Sequence, residues 1–404
     1  MITNFYKECN QWWLETAKIP TGKNSVSNFS IIRDKINKRL LTLIAKNDNS
    51  MESRTFRTIS SLSKATKSNH IMNELNILVN KVNSIDCRWE QIAFCVANGI
   101  NNVYDISIDS HKNRSSNRSS KRSLYISQSG LTLPNYRYYQ IQTLLSKKEI
   151  IIQDEYLKLL RTIIRKSNTF LGKYTIYSSY RSLFEFERKI SKIHINLDDY
   201  SADFKNNPTK VITSKLISKI LCNYFKHLSI TEIEQEDLLQ RYVIMESPYY
   251  LRHLQTIIDE TDKRVWQDYQ TLKIVLSYAG DVGNLFDDDF NTFFSSTLER
   301  RGATKNKKSE IQLEVIKTIA GETLGECYRK KYFNRKRKLD IENLIHSIKF
   351  QMYKSITSND WMSEETKQEA INKLNKMKSK IYFSQELILR FGLNTQFIGN
   401  KIYK

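Results

Sequence analysis

What the sequence holds little of narrows the reading first. In 404 residues there are only 4 prolines and 11 glycines. Sheet-rich folds need more turn punctuation than that, so a mainly helical chain is favoured. Cysteine occurs five times, at Cys9, Cys87, Cys95, Cys222 and Cys327, with no C-x-x-C pair. The odd number and irregular spacing argue against a disulfide framework or a zinc knuckle and predict reduced, partly buried thiols. No apolar run precedes Asn4, and no window approaches 18 consecutive apolar residues. Neither a secretory signal nor a membrane span is expected, and the default expectation is an intracellular, reducing compartment. The phosphate loop G-x-x-x-x-G-K-[ST], the dinucleotide fingerprint G-x-G-x-x-G and the nucleophile elbow G-x-S-x-G are all absent. The six histidines are His70, His111, His194, His227, His253 and His346, no two within four residues of each other, so the zinc motif H-E-x-x-H is absent too.

What is present is an ordinary globular composition with one unusual charge. Hydrophobic residues make up 40% and charged residues 26%, which supports a folded chain of two or three domains. The formal net charge is +21. It is concentrated at Lys112–Arg122 and Arg329–Lys338. Such runs are usually a solvated loop and a solvated helix end. Nucleic-acid binding is the functional alternative, without a recognition motif behind it.

Apolar spacing places the elements. An aromatic-rich segment runs from Asn4 to Leu14, and Ile19-Pro20 breaks the chain after it. Ile32, Ile36, Leu40 and Ile44 form a helical stripe, with Ser30 as a cap. One long helical pattern covers about 54–83, and a shorter helix ends near Gly99. Val103 to Asp109 then alternates with period two, and Leu124 and Ile126 give a partner run. This predicts one β-hairpin over about 101–128 with a long basic tip. Helices are expected near 147–170, 177–194, 209–226, 231–239, 248–260, 263–279, 284–300, 308–331, 339–357 and 363–378, with Gly302 and Gly321 as interruptions. Ser363 caps the last helix, Glu364 and Glu365 occupy its first turn, and Ala370, Ile371, Leu374, Met377 and Ile381 make its stripe. His70 with Glu74 and His194 with Asp198 read as i, i+4 surface pairs rather than metal ligands. Asp287-Asp288-Asp289 reads as an acidic helix start rather than a cation loop.

Seven stretches in order resemble one family, the neprilysin-like zinc metallopeptidases. They are Phe5-Tyr6 through Asn10 to Trp13-Leu14 and Ile19-Pro20; Asn28-Phe29 with Ile32-Arg33-Asp34; Ser129–Asn135 with Tyr138-Tyr139; Phe184, Glu187 and Ile190; Trp266 to Tyr278-Ala279; Gly325 and Tyr328 to Tyr332-Phe333; and Trp361-Met362-Ser363 with Thr366-Lys367 and Ala370. The resemblance implies a mainly α, multi-helix cap. Residues 1–30 would relate to the edge of the family's catalytic domain, 31–380 would form the helical cap, and 381–404 would be a short tail where the catalytic domain would begin. That tail is expected to be poorly ordered or locally packed and to build no site. The family's cofactor is zinc, but its N-A-Y segment, H-E-x-x-H and E-x-x-x-D have no counterpart among these 404 residues. No catalytic residue and no metal ligand is therefore assigned. A family substrate arginine would fall near Ser25 and is not retained. Arg33 matches a neighbouring family arginine and is the one candidate substrate contact, with a salt bridge inside the cap as the structural alternative.

The first functional expectation is a metallopeptidase-like chain without the zinc-binding half, a pseudoenzyme acting as a binding or regulatory remnant. The second is the cap half of a split or frameshifted metalloendopeptidase, completed by a second polypeptide. The third is a basic nucleic-acid-binding protein.

Overall fold

A computed structural model describes residues 4–20, 23, 25–46, 48–65, 69–111, 121–195, 215–228, 243–245, 247–279, 285–298, 308–379 and 381. Among the described residues the fold is mainly α, with one small sheet, as the sequence predicts. The chain packs as two compact units: residues 1–26 with 65–305, and residues 27–64 with 306–404. The breaks after Lys64 and before Asn306 fall inside the stretch 31–380 that the resemblance assigns to a single cap.

The first unit opens with α1 (Phe5–Thr16), capped by the Asn4 side chain. It continues with α4 (Asn69–Asn83), α5 (Arg88–Ala97), strands β1 (Tyr104–His111) and β2 (Lys121–Gln128), α6 (Lys147–Ser167), α7 (Tyr180–Ile193), α8 (Lys215–Lys226), β3 (Val243–Met245), α9 (Pro248–Glu260) and α10 (Lys263–Tyr278). A four-residue helix, α11 (Asp287–Phe290), runs into a π-helix at Asn291–Leu298. The centre is α10. Trp266 and every residue from Asp268 to Val275 are buried, the signature of a helix surrounded on all sides. It packs against α4, α5 and α7. The Trp266 indole donates to Gln91 Oε1 at 2.5 Å, so the largest buried ring also satisfies its one polar atom.

The predicted hairpin is present: β1 and β2 pair antiparallel, Tyr104 opposite Gln128 and Ile108 opposite Leu124. Its tip, residues 112–120, lies outside the described residues. The sequence did not reveal β3, which adds in parallel to the other edge of β2, Leu124 opposite Val243. That makes β2 central and explains why Leu124, Tyr125 and Ile126 are all buried rather than alternating.

The second unit comprises α2 (Asn28–Ile44), α3 (Met51–Ala65), α12 (Lys308–Tyr332), α13 (Arg335–Thr357) and α14 (Glu364–Lys376). Its core is small: Leu40, Leu43 and Ile44 of α2, Phe56 and Ile59 of α3, and Leu313, Ile316 and Leu324 of α12. Gln312 donates to Ser60 at 2.5 Å and Lys317 to Asn37 at 3.1 Å across it. α12 kinks at Ala320, just before the predicted interruption at Gly321.

Several expectations need correcting. Ser27, not Ser30, is the N-cap of α2; Ser30 returns a bond from N3 and completes a capping box. The single pattern over 54–83 is two helices, α3 and α4. The expected helix at 284–300 is α11 plus the π-helix. The expected helix at 231–239, Gly302 and the tail from Phe383 to Lys404 lie outside the described residues. Ser363 caps α14 as expected, accepting from Thr366 N at 3.2 Å.

Candidate functional site

The densest gathering of polar side chains lies inside the first unit, on Glu187. Glu187 sits on α7 among the apolar stripe of Leu183, Phe184 and Ile190, and is 1% exposed. Its carboxylate accepts from Tyr139 at 2.9 Å, Tyr156 at 2.7 Å and Thr132 Oγ1 at 2.7 Å. Lys273 of α10 places its ammonium 3.9 Å away and donates to the Gly130 carbonyl at 3.0 Å. Tyr269 donates to the same carbonyl at 3.1 Å. Thr132 N and Leu133 N donate back to the Tyr139 hydroxyl at 3.0 and 2.9 Å. Burial pushes the Tyr139, Tyr156 and Tyr269 phenols well up, with Glu187 adding to it. Burial pushes Lys273 down, opposed by Glu187. A buried pair of charges is tolerated only when its remaining lone pairs and protons are hydrogen-bonded, and here they are.

The purpose of this network is to hold the connector at Ser129–Tyr139. Gly130 has φ +97°, and a Cβ there would lie 2.8 Å from the Val103 Cα. Only glycine fits. The Ser129 carbonyl takes a bond from Tyr250 at 3.0 Å and contacts His194 Nε2 at 3.1 Å. Burial lowers His194 to about 4, against the opposing effect of that bond. The neutral ring with hydrogen on Nε2 is therefore the bonded form. Every group in this hub is committed to another protein group, so its chemistry is structural.

The residues singled out from the sequence do not converge. Arg33 is exposed on α2 in the second unit. His253 and His346 are exposed, and His227 lies 3.6 Å from Glu90, which also pairs with Lys226. The side chains of His70 and His111, and all of Asp198, lie outside the described residues. Asp287–Asp289 does start a helix; Asp289 pairs with Lys166, which also donates to the Leu285 carbonyl. The cysteines are free: Cys9 and Cys222 are exposed, and Cys95 is buried, its thiol pushed up to about 12. Among the described residues no three His, Cys, Asp or Glu side chains come together to hold a metal. The described residues do not fit a catalytic zinc centre, which needs three protein ligands and an activating carboxylate. An open depression of about 270 Å³ lies against α7 and the turn into α10, lined by Glu185, Phe186, Lys189 and Asp262. It is smaller than pockets that enclose a ligand. No described helix is long and apolar enough to cross a membrane.

What the chain exposes is more informative. In the first unit, α1 buries no residue, and Phe5, Tyr6 and Trp12 are 64–74% exposed. In the second, α13 runs for 23 residues and buries only Ile356. Leu339, Leu344, Ile348, Phe350, Met352 and Tyr353 of α13 are all exposed. Of these, Leu344, Ile348 and Met352 recur at four-residue spacing on one face of the helix, and an exposed apolar stripe of this kind marks an interaction face.

The model described as peptidase family M13, for the family's amino-terminal part, matches residues 1–384. The neutral endopeptidase of Lactobacillus helveticus is 24% identical over 95% of this chain and 59% of its own length. Neprilysin-11 of Caenorhabditis elegans is 22% identical over 71% of this chain and 34% of its own. The matches thus span between about a quarter and three-fifths of the length of the curated relatives. Among solved structures, the zinc metalloprotease Zmp1 of Mycobacterium tuberculosis, in complex with an inhibitor, superposes with a TM-score of 0.67 at 15% identity, covering 94% of this chain and 58% of that one. PepO of Lactobacillus rhamnosis gives 0.66 at 15% identity, over 93% and 58%. These structural likenesses speak for the fold.

Proposed function

Since the chain belongs to peptidase family M13, we propose that it supplies the helical, non-catalytic part of such a peptidase, a module that binds peptide or protein and does not cleave it alone. One observation carries this reading. The match covers residues 1–384, yet the 404 residues hold no H-E-x-x-H. A zinc peptidase needs the metal to polarise the scissile carbonyl and a glutamate to activate water. Neither group has a source here. Arg33, exposed on α2, is the residue through which a peptide carboxylate or carbonyl would be held. The test is direct. Purified chain should carry well under one zinc per molecule by mass spectrometry and leave a peptide library intact. Stoichiometric zinc with chelator-sensitive cleavage would overturn the proposal.

A second reading is favoured by the exposed faces of α1 and α13. In it, a separate polypeptide bearing the zinc site completes the enzyme and covers those faces. Mixing the chain with a separately expressed M13 catalytic half should then restore zinc-dependent cleavage. Absence of any complex by sedimentation would leave the binding-module reading alone.

A further inference from the structure

We propose that the second unit carries a docking surface for an acidic, partly apolar polypeptide segment, at the corner where α12 ends and α13 begins. The proposal deepens the binding-module reading and rests on it, since the completed-enzyme reading covers α13 with a catalytic half. Charge is distributed unevenly along the chain. The segments 27–64 and 306–404 hold 28 Lys and Arg against 14 Asp and Glu, while the rest holds 36 against 29. Within the smaller unit the charge is concentrated again: seven of the ten residues Arg329–Lys338 are cationic.

Three of those seven are answered internally. Arg329 pairs with Glu326, Lys330 with Glu52 at 3.5 Å and Lys338 with Glu342 at 3.5 Å. Lys331, Arg335, Lys336 and Arg337 are exposed and have no ion pair among the described residues. Lys331 and Arg337 lie against Tyr332. Arg39 of α2 lies 4.7 Å from its ring centre and donates to Tyr328; Lys331 lies 5.5 Å from the same ring; Arg337 donates to the Tyr332 carbonyl at 2.6 Å. Like charges gathered this way repel one another. α13 has no acidic residue in its first turn, so Arg335, Lys336 and Arg337 also face the positive end of the helix dipole. The corner is electrostatically unfavourable by itself, and an anionic partner relieves it.

The surroundings select the class of partner. Single-stranded nucleic acid is held by open aromatic faces on which bases stack. Here Tyr332 is half-buried and occupied by cations, and Phe333 is half-buried. By contrast, Arg337, Leu344 and Ile348 lie seven and four residues apart on one face of α13, and the two apolar members are 59% and 57% exposed. A polypeptide presenting carboxylates followed by apolar side chains fits that order, laid along the helix.

The test uses the full chain and three labelled probes: a peptide of alternating glutamate and leucine, a single-stranded DNA oligonucleotide, and vesicles containing phosphatidylserine. The peptide is expected to bind most tightly, with an affinity that falls as salt rises. The triple variant Arg335→Glu, Lys336→Glu, Arg337→Glu should weaken peptide binding by about tenfold or more and flatten the salt dependence. The control Lys147→Glu, Lys148→Glu, Arg161→Glu in the first unit should leave it within about twofold. If the triple variant misfolds by circular dichroism, Arg337→Gln and Ile348→Ser, made singly, must each weaken binding. Tighter binding of oligonucleotide or vesicles than of peptide overturns the proposal, and so does unchanged peptide affinity in folded corner variants.

Discussion

The two units bury their chains very differently. In the first, α10 is surrounded on every side, and even its lysine is hydrogen-bonded inside the core. In the second, eight buried residues from three helices make the core, and α13 contributes only Ile356 to the buried set. Fully burying a large apolar side chain contributes roughly 1.5–3 kcal/mol, so the stability of the first unit is internal. The second leaves much of that term unrealised on α13. That exposed face of α13 is the surface which both the binding-module and the completed-enzyme readings would have a partner cover.

The sharpest way to break the comparison is at Glu187. Glu187→Ala would leave Lys273 buried without its carboxylate and would strip the acceptor from Tyr139, Tyr156 and Thr132. Removing one partner of a buried pair costs about 3–5 kcal/mol. The loss should be confined to the first unit, reported by the fluorescence of buried Trp266 during urea unfolding. A loss under about 1 kcal/mol would show that the network is not what holds the connector.

A smaller effect is expected from acid. His194 has its folded value lowered to about 4 from 6.5. The folded state therefore binds fewer protons than the unfolded chain between those values. The contribution is fully present above about pH 6.5 and is lost as pH falls towards 4, by at most about 3 kcal/mol. His194→Gln keeps a donor for the Ser129 carbonyl and cannot titrate. It should flatten the first unit's stability between pH 6.5 and 4, as followed by urea midpoints. An unchanged slope would place the acid sensitivity elsewhere.

How much of this was legible in the sequence depends on whether a feature is local. Ser363, Glu364 and the stripe members Ala370, Ile371 and Leu374 specify α14 within a dozen residues, and the structure follows them; the expected stripe members Met377 and Ile381 fall at the C-cap and beyond the helix. The hairpin was legible because alternation and its partner run lie close together. β3 was not, since Val243–Met245 gains its meaning only from the free edge of β2. Glu187 came forward only through the family resemblance, and nothing near it names Lys273 or Tyr156 as partners. The signal available was indirect: a glutamate inside the stripe Leu183, Phe184, Ile190, and a lysine between Leu272 and Ile274. A charged residue at a core position asks for a partner without saying where it is. The lack of an H-E-x-x-H is a statement about the sequence alone, because that motif is defined by fixed spacing. The exposure of α13 was not legible, since its apolar periodicity reads the same whether or not anything covers it.

That last point yields the smallest predicted change in stability and the one that bears most on the second unit. Leu344→Glu and Ile348→Glu place charges where the structure shows open surface. Surface substitutions away from a core usually stay within ±0.5 kcal/mol, so neither should move the second unit's unfolding by more than about that amount. The same change inside the first unit, at Leu272, would be severe. Stability alone would therefore read α13 as unimportant. Association should read it otherwise: removing exposed apolar area lowers self-association, measured by light scattering at rising protein concentration. Both readings of function require this separation, because a face kept for a partner costs little to change in isolation. A drop of several kcal/mol in either variant would instead place α13 within the unit's own core, and the contrast between the two units would fail.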